Sequence, residues 1–288
     1  MDQLCLLTVH AHPDDEASKG AGTVAKYHAE GVRTVLVCCT GGEEGDILNP
    51  AMDTPEVREN LHKVRMEELE RAAEVIGYDE VVLLGYRDSG MPDTPANARP
   101  EAFANAPEEE AVGRLVEVLR RERPHVVVTY DEDQKFYPHP DHLRVHDVTL
   151  AAVDAAADGA RYPDTGEPWQ VQKLYYTVWS KARMVATHQK FGELGLESPF
   201  DEKWLDRPGQ DHRITTQVPI SDYGDVRRQA LLAHATQVDP ESPFWFGLPP
   251  EIARTVHPYD DYVRAWSRVP ADLPEDDLFA GLRRRARR

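Results

Sequence analysis

Little in this chain could be cross-linked, threaded through a bilayer or drawn to a polyanion. It has three cysteines, Cys5, Cys38 and Cys39. All lie inside apolar runs and no C-x-x-C occurs. That excludes a disulfide framework and leaves them as small buried hydrophobes. No stretch approaches a membrane span of about 20 apolar residues. No secretory leader opens the sequence, so a cytoplasmic location is expected. Positive charge is scarce: 33 Lys and Arg stand against 51 Asp and Glu, a formal net charge of −18. Nucleic acid and anionic membranes are thereby excluded as main partners. Internal repeats are lacking. So is a Gly-Lys-Ser/Thr after Gly41-Gly42, which excludes a P-loop.

What is present suffices for a packed core: 41% of the 288 residues are hydrophobic and 29% charged. Short apolar runs at Leu4–Val9, Val32–Thr40, Val81–Leu84, Val126–Tyr130 and Gln172–Trp179 read as strands. Segments with helical spacing separate them: Ser18 to Glu30, Pro55 to Gly77, one marked by Val112, Leu115, Val116 and Leu119, and His142 to Ala157. Such alternation predicts an α/β fold, a Rossmann-like, mostly parallel sheet with helices on both faces. Residues 1–180 would form the catalytic core. Residues 181–288 would be a smaller C-terminal elaboration completing the substrate site, the two making one compact unit. Within it, Arg183–Leu194 and Tyr223–Ala235 read as helices and Ile214–Ile220 as an edge strand. The aromatic, proline-rich Pro240–Pro258 reads as a cap or substrate wall, and the arginine-rich end as a solvated tail.

Two clusters follow strands and carry the chemistry. The first is His12-Pro13-Asp14-Asp15-Glu16, the second Tyr137-Pro138-His139-Pro140-Asp141-His142. Either alone would be read as a turn; a pair at equivalent sheet positions argues for a shared cation. In an open α/β sheet both would meet at the carboxyl edge. His12 and Asp15, three residues apart, with His142 make two imidazoles, one carboxylate and an open position. That is the donor set of a catalytic zinc site, although iron and other divalent ions suit it too. Zinc lowers the pKa of its water to about 7. Asp14 is then free as general base. His139 is the candidate to protonate the leaving amine or steady the oxyanion, oriented by Asp141 or another carboxylate, and Tyr137 is a second oxyanion donor. The Gly41–Asp46 turn, which contains Glu44, is a candidate wall of the same edge. His234 is left unassigned.

The pairing of His12-Pro13-Asp14-Asp15 with Pro138-His139-Pro140-Asp141-His142 resembles the LmbE/PIG-L-like zinc N-deacetylase superfamily. Further stretches, among them Ser18-Lys19-Gly20, Ile47–Asp53, Asp88-Ser89-Gly90, Lys173–Tyr176 and His234–Gln237, are similar to the mycothiol S-conjugate amidases. This resemblance implies a zinc hydrolase acting on a small thiol–sugar conjugate, in detoxification or antibiotic biosynthesis. It would cut the amide between a mercapturate-like acyl-cysteine and glucosaminyl-inositol. It also implies ligands at His12, Asp15 and His142, Asp14 as base and His139 as acid, with Arg65 and Asp88 holding the sugar–inositol part. Lys19 is where these amidases differ from the acetyl-glucosaminyl-inositol deacetylases, and its ammonium is expected at the rim, reading the acyl side. Gln134-Lys135-Phe136 departs from the family's glycine-bearing pattern before Tyr137.

Three alternatives stand beside this reading. One is deacetylation of the sugar precursor on the same metal. Another is a nucleotide-binding oxidoreductase, since Gly20, Gly22 and Ala25 fit G-x-G-x-x-A. The last is a non-catalytic carbohydrate-binding protein.

Overall fold

The computed structural model describes residues 3–133 and 137–283. Gln134-Lys135-Phe136 and the tail from Arg284 onward, both singled out in the sequence, lie outside the described residues. Strands β1 (Cys5–His10), β2 (Arg33–Thr40), β3 (Glu80–Tyr86), β4 (Val126–Thr129) and β5 (Lys173–Val178) run parallel. β6 (Thr216–Pro219) and β7 (Tyr259–Ser267) extend the sheet antiparallel, giving the order β3-β2-β1-β4-β5-β7-β6. The fold is thus the expected mostly parallel α/β sheet. Strands from beyond residue 180 belong to the same sheet as the first five.

β1 is buried along its whole length, which is why its sequence is an unbroken apolar run rather than an alternating one. Successive side chains still point to opposite faces. Leu7 and Val9 pack with Val112 and Leu115 of α5 (Glu108–Glu122) and with Val145 and Val148 of α6 (Pro140–Ala156). Leu6, on the other face, joins Val24 and Tyr27 of α2 (Ala21–Ala29), Ala72 and Ile76 of α4 (Leu61–Ile76), and Ala230 and Leu231 of α9 (Gly224–Ala233).

One expected helix starts later than predicted and another is divided. The first turn makes its own short helix, α1 (Asp15–Ser18), and Gly20 at φ 96° starts α2 in place of Ser18. The helix expected over Pro55–Gly77 is split: α3 (Pro55–Glu59), capped by the Thr54 hydroxyl, is separated from α4 by Asn60. The C-terminal part adds α7 (Lys181–Glu193), α8 (Glu202–Leu205), α10 (Pro243–Phe246) and α11 (Pro250–Val256).

β7 is absent from the sequence reading. Asp260 and Asp261 break its apolar pattern, yet they are 5% and 2% exposed. Both are satisfied inside: Asp260 accepts from the Thr23 amide and hydroxyl, Asp261 from Ser180 and Gln217. Among the described residues, no helix is long and apolar enough to cross a membrane.

Candidate functional site

The strand order reverses between β1 and β4, and the crevice beyond that point is where open α/β sheets bind ligands. β1 delivers the first His/Asp cluster there. β4 delivers Tyr130 and then the second.

The turn after β1 is held in an unusual shape. Asp14 has φ 118° and ψ −23°, costly for a residue with a side chain. Three contacts impose it. The Asp14 amide donates to Glu16 Oε2 at 2.9 Å, and Glu16 Oε1 meets His234 Nε2 at 2.5 Å. Both Glu16 and His234 are fully buried. Burial opposes charge on His234, but the Glu16 carboxylate outweighs it and raises the imidazole pKa. From α4, Arg65 donates to the carbonyls of Gly42 and Pro13 at 2.5 Å each, and to Asp14 Oδ2 at 3.0 Å. Gly42 must be glycine here: with φ 66°, its Cβ would stand 2.2 Å from the Arg65 guanidinium. Arg65 is 2% exposed. Its contacts are internal and aim Asp14; none of them faces the cleft. Burial lifts the Asp14 pKa above the ordinary carboxylate value, with Arg65 pulling the other way.

The three residues expected as ligands converge. Donor atoms of His12, Asp15 and His142 lie within 4.8 Å of one another. Asp15 Oδ2 is 3.4 Å from His12 Nδ1 and 3.4 Å from His142 Nε2. His142 is 2% exposed and neither ring nitrogen has a hydrogen-bond partner. A buried imidazole left so is costly unless it serves a ligand. Burial pushes its pKa down to about 4, so it stays neutral, the form that binds metal. Tyr130 stacks on the His142 ring at 4.4 Å with an interplanar angle of 8°, and its hydroxyl donates to Asp15 Oδ2 at 2.6 Å. Lys19 takes the other Asp15 oxygen at 2.5 Å. Its ammonium, expected to be free at the rim, is therefore paired with a candidate ligand. Although burial disfavours the ion, Lys19 and the two imidazoles hold Asp15 well below the usual carboxylate range.

A second group overlaps the first: His12, Asp88, His139 and Asp141 also have donor atoms within 4.8 Å. His12 Nε2 lies 3.2 Å from Asp141 and 3.6 Å from Asp88. Burial disfavours a charged His12, but these carboxylates and Asp15 outweigh it and raise its pKa well above 6.5. Three buried acids around one histidine are a demand for positive charge, which a divalent ion meets. Asp141 also accepts from the amide and hydroxyl of Ser89. Asp88 is 3% exposed and accepts from the Gly90 amide, so its contacts too are internal. His139 caps α6, its Nδ1 accepting from the Asp141 amide at 3.2 Å. Burial, with His12 beside it, lowers its pKa. Tyr137 is exposed, its ring 5.3 Å from that of His142. Glu44 bridges Arg87 and Arg99 at 2.8 and 2.5 Å on the wall after β2.

Glu16, Tyr130, Ser89 and His234 are the participants that sequence reasoning missed or left open. Tyr130 ends an apolar strand and Ser89 sits in an ordinary loop, so neither carries a local signal. Asp14, Asp15, Lys19, Tyr137 and His142 line a cleft of about 550 Å³ together with Trp179, just after β5, and with Trp204, Phe244 and Trp245 from the C-terminal part. The glycines of the apparent nucleotide fingerprint serve packing: a Cβ on Gly20 would meet the Tyr262 hydroxyl at 2.8 Å, and one on Gly22 the Ile220 side chain at 2.8 Å.

The sequence model of the PIG-L family, described as GlcNAc-PI de-N-acetylase, matches residues 7–153, from β1 through α6. The chain belongs to the PIG-L family. Among relatives of this PIG-L chain, a mycothiol S-conjugate amidase from Streptomyces coelicolor is 45% identical over 98% of both sequences. A 1D-myo-inositol 2-acetamido-2-deoxy-alpha-D-glucopyranoside deacetylase from Geodermatophilus obscurus is 42% identical, covering 96% of this chain and 97% of its own. The PIG-L fold here is also similar to the structure of an N,N'-diacetylchitobiose deacetylase from Pyrococcus horikoshii, with a TM-score of 0.63 at 19% identity, over 91% of this chain and 84% of the other.

Proposed function

We propose that the chain hydrolyses the amide of mycothiol S-conjugates, releasing a mercapturate and glucosaminyl-inositol. The protein is a hydrolase of a carbon–nitrogen amide bond. One observation carries the reading to chemistry: a buried His12/Asp15/His142 donor set beside a carboxylate, Asp14, that the fold holds in a strained and fixed position. The near-full-length likeness to an S-conjugate amidase supports the substrate class.

His12, Asp15 and His142 would hold the metal, for which zinc suits the imidazole–carboxylate set. When bound, such an ion acidifies a water and polarises the substrate carbonyl. Asp14 is the base. Arg65 occupies its Oδ2, leaving Oδ1 to take a proton from the attacking water. Tyr130 and Lys19 fix both oxygens of Asp15 and so orient it. His139 accepts the Asp141 amide at Nδ1, which leaves its proton on Nε2. A neutral Nε2–H is suited to steady the oxyanion, and Tyr137 to assist it. The proton gathered by Asp14 then goes to the departing amine. Arg65 and Asp88 contribute by positioning Asp14 and His12. Glu44, with its two arginines, is the remaining candidate for contact with the sugar–inositol part.

The second reading, deacetylation of N-acetyl-glucosaminyl-inositol, is favoured by the 42% identical deacetylase. Amine release separates the two. A kcat/KM for a mycothiol S-conjugate well above that for the acetyl substrate is expected. The reverse ratio would transfer the chain to deacetylation.

A further inference from the structure

Resting on the S-conjugate reading, we infer that the aromatic end of the cleft is a subsite for an aromatic sulfur substituent, formed by Trp179, Trp204, Phe244 and Trp245. In such a substrate the sulfur sits two carbons beyond the acyl carbon. Whatever it carries must therefore lie in the same cavity as the metal ligands, a short way along it. Asp14, Asp15 and His142 line one cleft with these four rings. A chain of contacts ties the two groups together. Lys19, bonded to Asp15, also donates to the Ser18 hydroxyl at 3.2 Å. Arg227 donates to the Ser18 carbonyl at 3.0 Å and lies 5.1 Å from the centre of the Trp179 ring.

The rings are arranged to receive another ring. Trp179 and Phe244 are near parallel, 5.9 Å apart at 18°, and Trp245 stands edge-on to both. Trp204 lies 6.1 Å from Phe244, backed by the Arg207 guanidinium 3.9 Å from its centre. Trp179 is 40% exposed although large and apolar. Tryptophan faces also stack on sugars, so the competing occupant is the sugar–inositol part. That part carries hydroxyls on every side and needs open donors and acceptors. Two of the acids that line this cleft are already engaged: Asp260 by Thr23 and Arg183, Asp261 by Ser180, Gln217 and His257. The aromatic surface of Trp179, by contrast, stays exposed.

The test compares S-benzyl and S-methyl conjugates of mycothiol on the metal-loaded enzyme and on Trp204→Leu and Phe244→Leu. The benzyl-to-methyl ratio of kcat/KM should fall about tenfold in each variant, mainly through KM, as loss of one aromatic contact predicts. An unchanged ratio overturns the proposal. So does an equal loss that extends to N-acetyl-glucosaminyl-inositol, which would place the sugar there. Binding is read separately from turnover: N-acetyl-S-benzylcysteine should quench the tryptophan fluorescence of the wild type with higher affinity than that of Phe244→Leu, which removes no tryptophan. Quenching without hydrolysis of either conjugate would keep the subsite and discard the amidase reading. Equal affinity of wild type and variant would discard the subsite.

Discussion

Asp14 and Lys19 illustrate how contacts revise a reading made from residue type. Asp14 is a carboxylate with one oxygen paired to Arg65 on a residue that also lines the cleft. Asp14→Asn keeps the shape but cannot take a proton. It should lower kcat by about 10²–10⁴-fold while metal content measured by atomic absorption stays at the wild-type level. Near-normal turnover would remove Asp14 from the mechanism. Lys19 is expected from the sequence to discriminate between acyl groups. Its bond to Asp15 points to a different role, the support of a candidate metal ligand. Losses on removing such supports are about 10–100-fold. Lys19→Ser should therefore depress cleavage of an S-conjugate and of the acetyl substrate by similar factors. A loss confined to the conjugate would restore the role in acyl recognition.

At the scale of elements, the turn between β1 and α1 is shaped by parts far away in sequence. Arg65 on α4 and His234 after α9 hold it, and the 41–46 loop receives the Arg65 guanidinium. Gly42→Ala would set a methyl against that guanidinium and strain a residue at φ 66°. We expect a loss of about 1–3 kcal/mol in denaturant unfolding together with a lower kcat, because Asp14 loses its clamp. An alanine variant with full stability and full turnover would show that the clamp is dispensable. β7 makes the complementary point. A strand with two acids can lie between β5 and β6 because Thr23, Ser180 and Gln217 supply donors from three other segments.

Across the whole molecule, the segment after β7 pairs through Glu275 with Thr216 of β6 and is fastened there by a buried polar knot. Glu275 accepts from Lys173 at 2.6 Å, Tyr175 at 2.7 Å, Arg264 at 3.0 Å and Thr216 at 3.1 Å. Lys173 is fully buried, and burial lowers its pKa. Glu275→Ala leaves that ammonium without its counter-charge, so about 3–5 kcal/mol of unfolding free energy should be lost. A melting temperature equal to wild type would contradict the pairing. The candidate ligands His12 and His142 join the turn after β1 to α6, so an ion held there should also act globally. Chelation should abolish activity, and zinc at a hundredfold its Kd should restore it and add about 2.7 kcal/mol of stability. Full activity after exhaustive chelation would exclude a metal role.

The sequence by itself determined the parallel strands, the two His/Asp clusters and their meeting at one sheet edge. Each rests on a local pattern: apolar runs of strand length, and ligand-type side chains placed just after them. Tertiary structure alone decided which partner each charged group takes. Lys19 goes to Asp15, Arg65 to Asp14, and His234 to Glu16, across up to 218 positions. It also decided that Asp260 and Asp261 belong inside, and that rings from three separate segments line one cleft with the candidate metal ligands. The physical reason is common to all of these. A charge or a ring has no preferred neighbour until the sheet closes and removes water, and only then does the cost of burial select the partner.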